Sequence, residues 1–195
     1  SAVAVIDPQL SADAPHFNRF FTMMDCYFHH YEIMMSKTSA PEAIEDAKDG
    51  LALSREVLSH DLSGYSLDLA IKSAMASVLG GSSTIGGRVG AAHAISYGLS
   101  NSAPRLPHSV AVAISMSVLE DVYPEGYGDT RRFLEINGLA MPKAADYGIG
   151  EKDAAKMTKT ALGMEKLWHS CFGDDWKDIA TEEYIEKIYA RIIGE

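Results

Sequence analysis

Four side chains in this chain have the types and order of a metal centre. Asp25 and His29 stand four apart in Asp25-Cys26-Tyr27-Phe28-His29, and His93 and His108 follow in Ala91-Ala92-His93-Ala94 and Leu106-Pro107-His108-Ser109. On a helix, residues four apart share a face, one turn above the other. A carboxylate and an imidazole placed that way can grip one ion together. A lone Asp-x-x-x-His pair usually binds nothing, so the reading rests on the joint pattern. One carboxylate and three neutral imidazoles make a nitrogen/oxygen donor set that suits Zn²⁺ or Fe²⁺ and does not choose between them. An ion so held stays net positive. With a coordination position open, it can polarise the oxygen of a bound substrate.

The order and spacing of these residues resemble the C-terminal, helical, metal-binding domain of the iron-containing alcohol dehydrogenase family. There an Asp-x-x-x-His helix, a later His-x-x-x-His helix and a Leu-Pro-His-Gly turn supply the ligands. Three further stretches agree. Ala4-Val5-Ile6-Asp7-Pro8 is similar to the strand-to-turn that enters the domain. Gly80-Gly81-Ser82 and Gly86 to Gly90 are similar to the glycine-rich approach to the first histidine of the second helix. Thr181-Glu182-Glu183 is similar to the start of the last helix. The likeness runs from Val3 to Ile193. It departs from the family pattern at Tyr97, where a second histidine is usual, at Ser109, where glycine is usual, and in a slightly longer stretch from His93 to His108. Within the family, the branch that oxidises C8 of the sugar acid 3-deoxy-manno-octulosonate is the most similar.

The resemblance implies an all-α, multi-helix metal-binding domain of the dehydroquinate synthase-like type, the C-terminal half of a longer enzyme. A short strand remnant is expected within residues 1–10, and the helical domain over 11–195. It implies hydride transfer between a primary alcohol, or a sugar acid, and NAD(P), with Fe²⁺ or Zn²⁺ held by Asp25, His29, His93 and His108. No strand leads into Gly-x-Gly-x-x-Gly and a helix, so nicotinamide binding is expected of a missing N-terminal domain. Tyr97, one turn after His93, is the candidate catalytic hydrogen-bond donor or proton relay; a packed aromatic is the plainer alternative. Arg105 lies between two ligands and is the candidate partner of a substrate carboxylate, with an ordinary surface arginine as its alternative. Two other readings compete. A dehydroquinate synthase-like lyase would place glutamate at Asp25 and add several phosphate-binding bases. A non-catalytic helical module would hold a structural metal in a closed shell.

Helices must position these groups. Apolar residues Phe17, Phe20, Phe21, Met24, Tyr27, Phe28 and Tyr31 recur at helical spacing and predict a helix over about 18–36, with the aromatic stripe as core. Pro41 opens a second helix to Leu58. Ser66 caps a third, with Leu67, Leu69, Ala70, Met75 and Val78 among its apolar positions and Gly80-Gly81 as its end. His93 falls in a helix over about 88–99, and His108 opens one to about Val122. The small residues from Gly86 to Ala94 serve close helix packing or face a ligand. Further on, Asp129 is read as the cap of a short helix ended by Gly138. An amphipathic helix runs from Glu151 to about Leu167, and Thr181 caps a last helix to Ile193. His30 is read as a polar edge residue and Cys26 as a small core residue. His16, His60 and His169 are read as surface or satisfied histidines, and the acids from Glu42 to Asp49 as a solvated face.

Composition sets the bounds. With 47% hydrophobic and 23% charged residues, the 195-residue chain can bury a sizeable core as one domain. Apolar runs are too short to span a bilayer. A net charge of −10 argues against nucleic acid and anionic membranes as partners. Two cysteines form no disulfide framework, and a cytoplasmic location is the simpler expectation. A homodimer is left open.

Overall fold

The computed structural model describes residues 5–11 and 13–194. Its helices are α1 (His16–Met35), α2 (Pro41–Leu58), α3 (Leu67–Gly86), α4 (Ala91–Ser102), α5 (His108–Met116), α6 (Pro124–Ile136), α7 (Ala154–Leu162), α8 (Glu165–Phe172), α9 (Trp176–Ile179) and α10 (Glu182–Gly194). The all-α expectation holds. Of the stretch expected to hold a strand remnant, the described part has none: residues 5–7 have no regular structure and Pro8–Ser11 form a 3-10 turn. A strand needs a neighbour for its backbone groups, and among the described residues no strand exists. The remainder of that stretch, residues 1–4, lies outside the described residues. No helix is long and apolar enough to cross a membrane among them.

Helix α1 is the axle of the fold, packed by α2, α3 and α5. Its stripe of Phe20, Phe21, Met24, Tyr27, Phe28 and Tyr31 is buried in one core shared with α4, α5, α6 and α10. Pro41 starts α2 and Ser66 caps α3 by accepting from the Leu69 N–H at 3.2 Å. Thr181 likewise receives the Tyr184 N–H.

Several boundaries differ from the sequence reading. Helix α3 runs through Gly80-Gly81 to Gly86, whose carbonyl accepts from the Ala40 N–H at 2.9 Å. Two interior glycines cost about 1 kcal/mol each, and the helix continues where α2 packs along α3. Its apolar residues also divide differently: Leu69, Ala70 and Ala76 face the core, while Leu67, Ile71, Met75, Val78 and Ile85 are exposed. Helix α4 begins three residues later than expected and includes Ser100–Ser102. Helix α5 stops at Met116, where the Ser115 and Ser117 hydroxyls donate to the carbonyls of Ala111 and Ile114 and compete with the helical ladder. Asp129 is not a cap. It lies inside α6, which Pro124 opens, and accepts from the Tyr27 hydroxyl and from Arg55. Gly138, at φ +60°, does end that helix. The single amphipathic helix expected from Glu151 is a 3-10 turn followed by α7 and α8, bent at Gly163-Met164. The bend lets the Trp168 indole N–H donate to the Ala161 carbonyl at 2.7 Å.

His30 is not an edge residue. It is fully buried, slotted between Gly50 of α2 and Gly80 of α3, and its Nε2 meets the Ala76 carbonyl at 3.0 Å. A side-chain carbon on Gly50 would overlap the imidazole ring. Cys26 packs against the core as expected. His16, His60 and His169 each meet a local oxygen: Asn137 Oδ1, the Glu56 carbonyl and Asp174 Oδ1.

Candidate metal centre

Residues 25, 29 and 32 fall on one stripe of α1 because seven residues make nearly two whole turns. The stripe carries Asp25, His29 and Glu32 towards the start of α4, where His93 is the third helical residue. One donor atom each of Asp25, His29 and His93 lies within 4.8 Å of the others. His93 Nε2 and Asp25 Oδ1 stand 3.4 Å apart. Both atoms are buried, and neither makes a hydrogen bond. Donors about 2.1 Å from a shared tetrahedral ion lie about 3.4 Å apart, so this separation leaves room for one ion between them. Two orphaned buried polar atoms otherwise cost free energy, which gives the fit a physical ground. The donor chemistry suits a divalent cation.

The ring orientations agree. His29 Nδ1 meets the Asp25 backbone carbonyl at 2.9 Å, one turn back. His93 Nδ1 meets the Glu32 carboxylate, which is fully buried. Each imidazole thus has its Nδ1 engaged and its Nε2 left as the donor, the arrangement that orients metal-bound histidines. His29 and His93 rings stand 4.3 Å apart, edge to face.

The electrostatics describe a pocket built to hold positive charge. Burial pushes the His93 imidazole down, but the Glu32 and Asp25 carboxylates outweigh it and raise it to about 9. Burial pushes the Asp25 carboxyl up, yet His93, His29 and His108 together hold it below its ordinary value. His29 and His108 are both lowered, partial desolvation of the rings being the largest cause. Ligands must be deprotonated, so an ion bound here would displace the proton that the two carboxylates favour on His93.

The fourth expected ligand stands apart. His108 opens α5 beside the cluster, its ring 5.6 Å from that of His93, but it is exposed and is not among the three clustered donors. Tyr97 lies at the same rim, 39% exposed, with its ring 5.8 Å from His108. Arg105 is exposed in the loop before α5, and among the described residues no ion pair or side-chain hydrogen bond holds it. The centre is thus closed on the α1–α4 side and open towards His108 and Tyr97. A cleft of about 420 Å³ lies elsewhere: Asp7, Asn18, Arg19, Tyr65, Ser73 and Ser77 are in its lining.

Sequence reasoning missed Glu32. Its signal was the spacing: Asp-x-x-x-His-x-x-Glu places all three on one face. The run of small residues is explained in part by packing. A Cβ on Gly90 would overlap the Tyr123 hydroxyl and sit 3.3 Å from Cys171 Cβ and 3.4 Å from Glu32 Oε1.

No protein-family model matches the chain. The fold does match solved structures. Sulfoacetaldehyde reductase from Bifidobacterium kashiwanohense in complex with NAD⁺ superposes with a TM-score of 0.81 at 17% identity, over 98% of this chain and 54% of that one. An iron-containing alcohol dehydrogenase from Thermotoga maritima gives 0.75 at 21% identity, over 97% and 53%. Maleylacetate reductase from Rhizobium sp. strain MTP-10005 gives 0.72 at 16%, over 96% and 56%. The chain spans about half the length of these proteins and shares the fold of that half.

Proposed function

We propose that this chain is the metal-binding half of an oxidoreductase that interconverts an alcohol and a carbonyl compound. The observation that carries the reading is the pair of orphaned donors, His93 Nε2 and Asp25 Oδ1, beside His29, in a fold shared with an iron-containing alcohol dehydrogenase and two reductases. Asp25, His29 and His93 would hold Fe²⁺ or Zn²⁺, and His108 would complete the set after a modest turn of its side chain. An alcohol gives up hydride poorly while protonated, and a divalent ion supplies the positive charge that lowers its pKa.

The open rim favours catalysis over a structural metal, because structural sites are closed by protein ligands. Tyr97 borders the opening and can donate a hydrogen bond to a substrate hydroxyl there. Arg105 offers a planar cation to a carboxylate, which fits a sugar acid such as 3-deoxy-manno-octulosonate as the substrate class. Nicotinamide binding falls to a further domain; one neighbour of twice this length was solved with NAD⁺.

Elemental analysis of the wild-type chain beside Asp25→Ala and His93→Ala tests the centre. About one Fe or Zn per chain, lost in both variants with the helical spectrum unchanged, is expected. Full metal retained in His93→Ala overturns it. In the metal-loaded protein carrying its dinucleotide-binding part, alcohol-dependent NAD(P)H formation should require both residues. No turnover of any primary alcohol or sugar acid at full metal content overturns the oxidoreductase reading.

A further inference from the structure

We propose that Glu32 is a positioning residue for the metal centre: it locks the His93 imidazole so that Nε2 alone faces the ion. The inference rests on the reading of Asp25, His29 and His93 as ligands. It is carried by the way both carboxylate oxygens are used. Oε1 accepts the Ala92 N–H at 2.8 Å, and Oε2 meets His93 Nδ1. These two partners are adjacent residues in the first turn of α4, where backbone N–H groups lack intrahelical acceptors. The cap position of α4 is Gly90, which has no side chain to serve them. Glu32 therefore caps α4 from another helix and orients a ligand with the same group.

That double attachment fixes the carboxylate in position and in rotation. The side chain is fully buried, so no water competes for either oxygen. The Tyr123 hydroxyl secures the neighbouring position by accepting the Ala91 N–H at 3.1 Å. His29 is oriented differently, by a carbonyl of its own helix. His93 comes from a distant segment, and Glu32 registers its ring against α1.

Glutamine at position 32 has almost the same shape but one acceptor and one donor end. Its amide NH₂ must face either the Ala92 N–H or His93 Nδ1–H, so one attachment becomes a clash of donors. The imidazole can relieve it only by moving its proton to Nε2, the atom the ion needs.

The test is Zn²⁺ affinity, measured by competition with a chromophoric chelator, for wild type, Asp25→Ala, Glu32→Gln and a remote core variant, Phe133→Leu. We expect Glu32→Gln to bind about 10–100-fold more weakly, and Phe133→Leu to keep wild-type affinity despite its lower stability. Wild-type affinity in Glu32→Gln, with Asp25→Ala impaired, overturns the role of Glu32 alone. No Zn²⁺ binding by wild type overturns the metal centre and this inference with it. Imidazole ¹⁵N spectra of the Zn²⁺-loaded wild type need no variant to fold: His93 must carry its proton on Nδ1, and a proton on Nε2 sinks the proposal.

Discussion

Replacing Gly50 with alanine sets helix propensity against packing at a single atom. Gly50 lies inside α2, where alanine is intrinsically better by about 1 kcal/mol. The added carbon would fall on the His30 ring, which is fully buried and lies beside Gly80, where an added Cβ would stand 3.6 Å from the ring. The ring cannot retreat without loosening α1 from α3, and moving it breaks the bond to the Ala76 carbonyl. Overpacking costs about 1–3 kcal/mol, and an abandoned buried partner about 1–3 kcal/mol more. Against the gain in propensity, the net loss is about 1–5 kcal/mol, or a Tm lower by about 2–20 °C in a chain of this size. Gly81→Ala is the control. It is also inside a helix, but nothing lies within 4 Å of the new carbon, so stabilisation by about 0.4–1 kcal/mol is expected. Urea unfolding followed by circular dichroism reads both signs. Equal or greater stability in Gly50→Ala would show that the histidine is not wedged, and the reasoning fails.

Two further outcomes follow from the site. His108→Ala should weaken Zn²⁺ binding less than His93→Ala does, since His108 is exposed and outside the donor cluster; the same chelator competition decides, and a larger loss at His108 would refute the ranking. Cys26 and Cys171 are both pushed up to about 11 by burial. The folded protein at pH 8 should therefore leave both thiols almost wholly protonated and slow to react with Ellman's reagent, while unfolding in guanidinium should release both; prompt labelling of the native chain would contradict their burial.

The helices were legible because their signals are local. The aromatic stripe of α1, Pro41, Ser66 and Thr181 each act on their own turn, and those elements stand where the pattern put them. The misreadings share another cause. Gly80-Gly81 looks like a stop until α2 lies alongside, and Asp129 looks like a cap until Tyr27 and Arg55 claim its oxygens. The break at Gly163-Met164 shows only once Trp168 needs the Ala161 carbonyl. At the metal centre the residue types and order brought Asp25, His29 and His93 to attention, and the chain folds them together. What pattern could not rank was exposure, which sets His108 at the rim, and buried partnership, which brings Glu32 into contact with His93. Both depend on residues distant in sequence.

The borrowed cap of α4 bears on the order in which the molecule assembles. A helix as short as α4, with Gly98 and three serines, is marginal in isolation, and its Ala92 N–H has no acceptor until Glu32 arrives from α1. The pairing of α1 with α2 and of α2 with α3 involves neighbours in the chain and can form early. α4 must wait for that surface. The candidate donor geometry needs α1 and α4 docked together, and an isolated peptide holding His93 and His108 is expected to have little helix. The candidate donors Asp25, His29 and His93 come from two helices distant in sequence, so an ion bound there would stabilise the docking of α4 on α1.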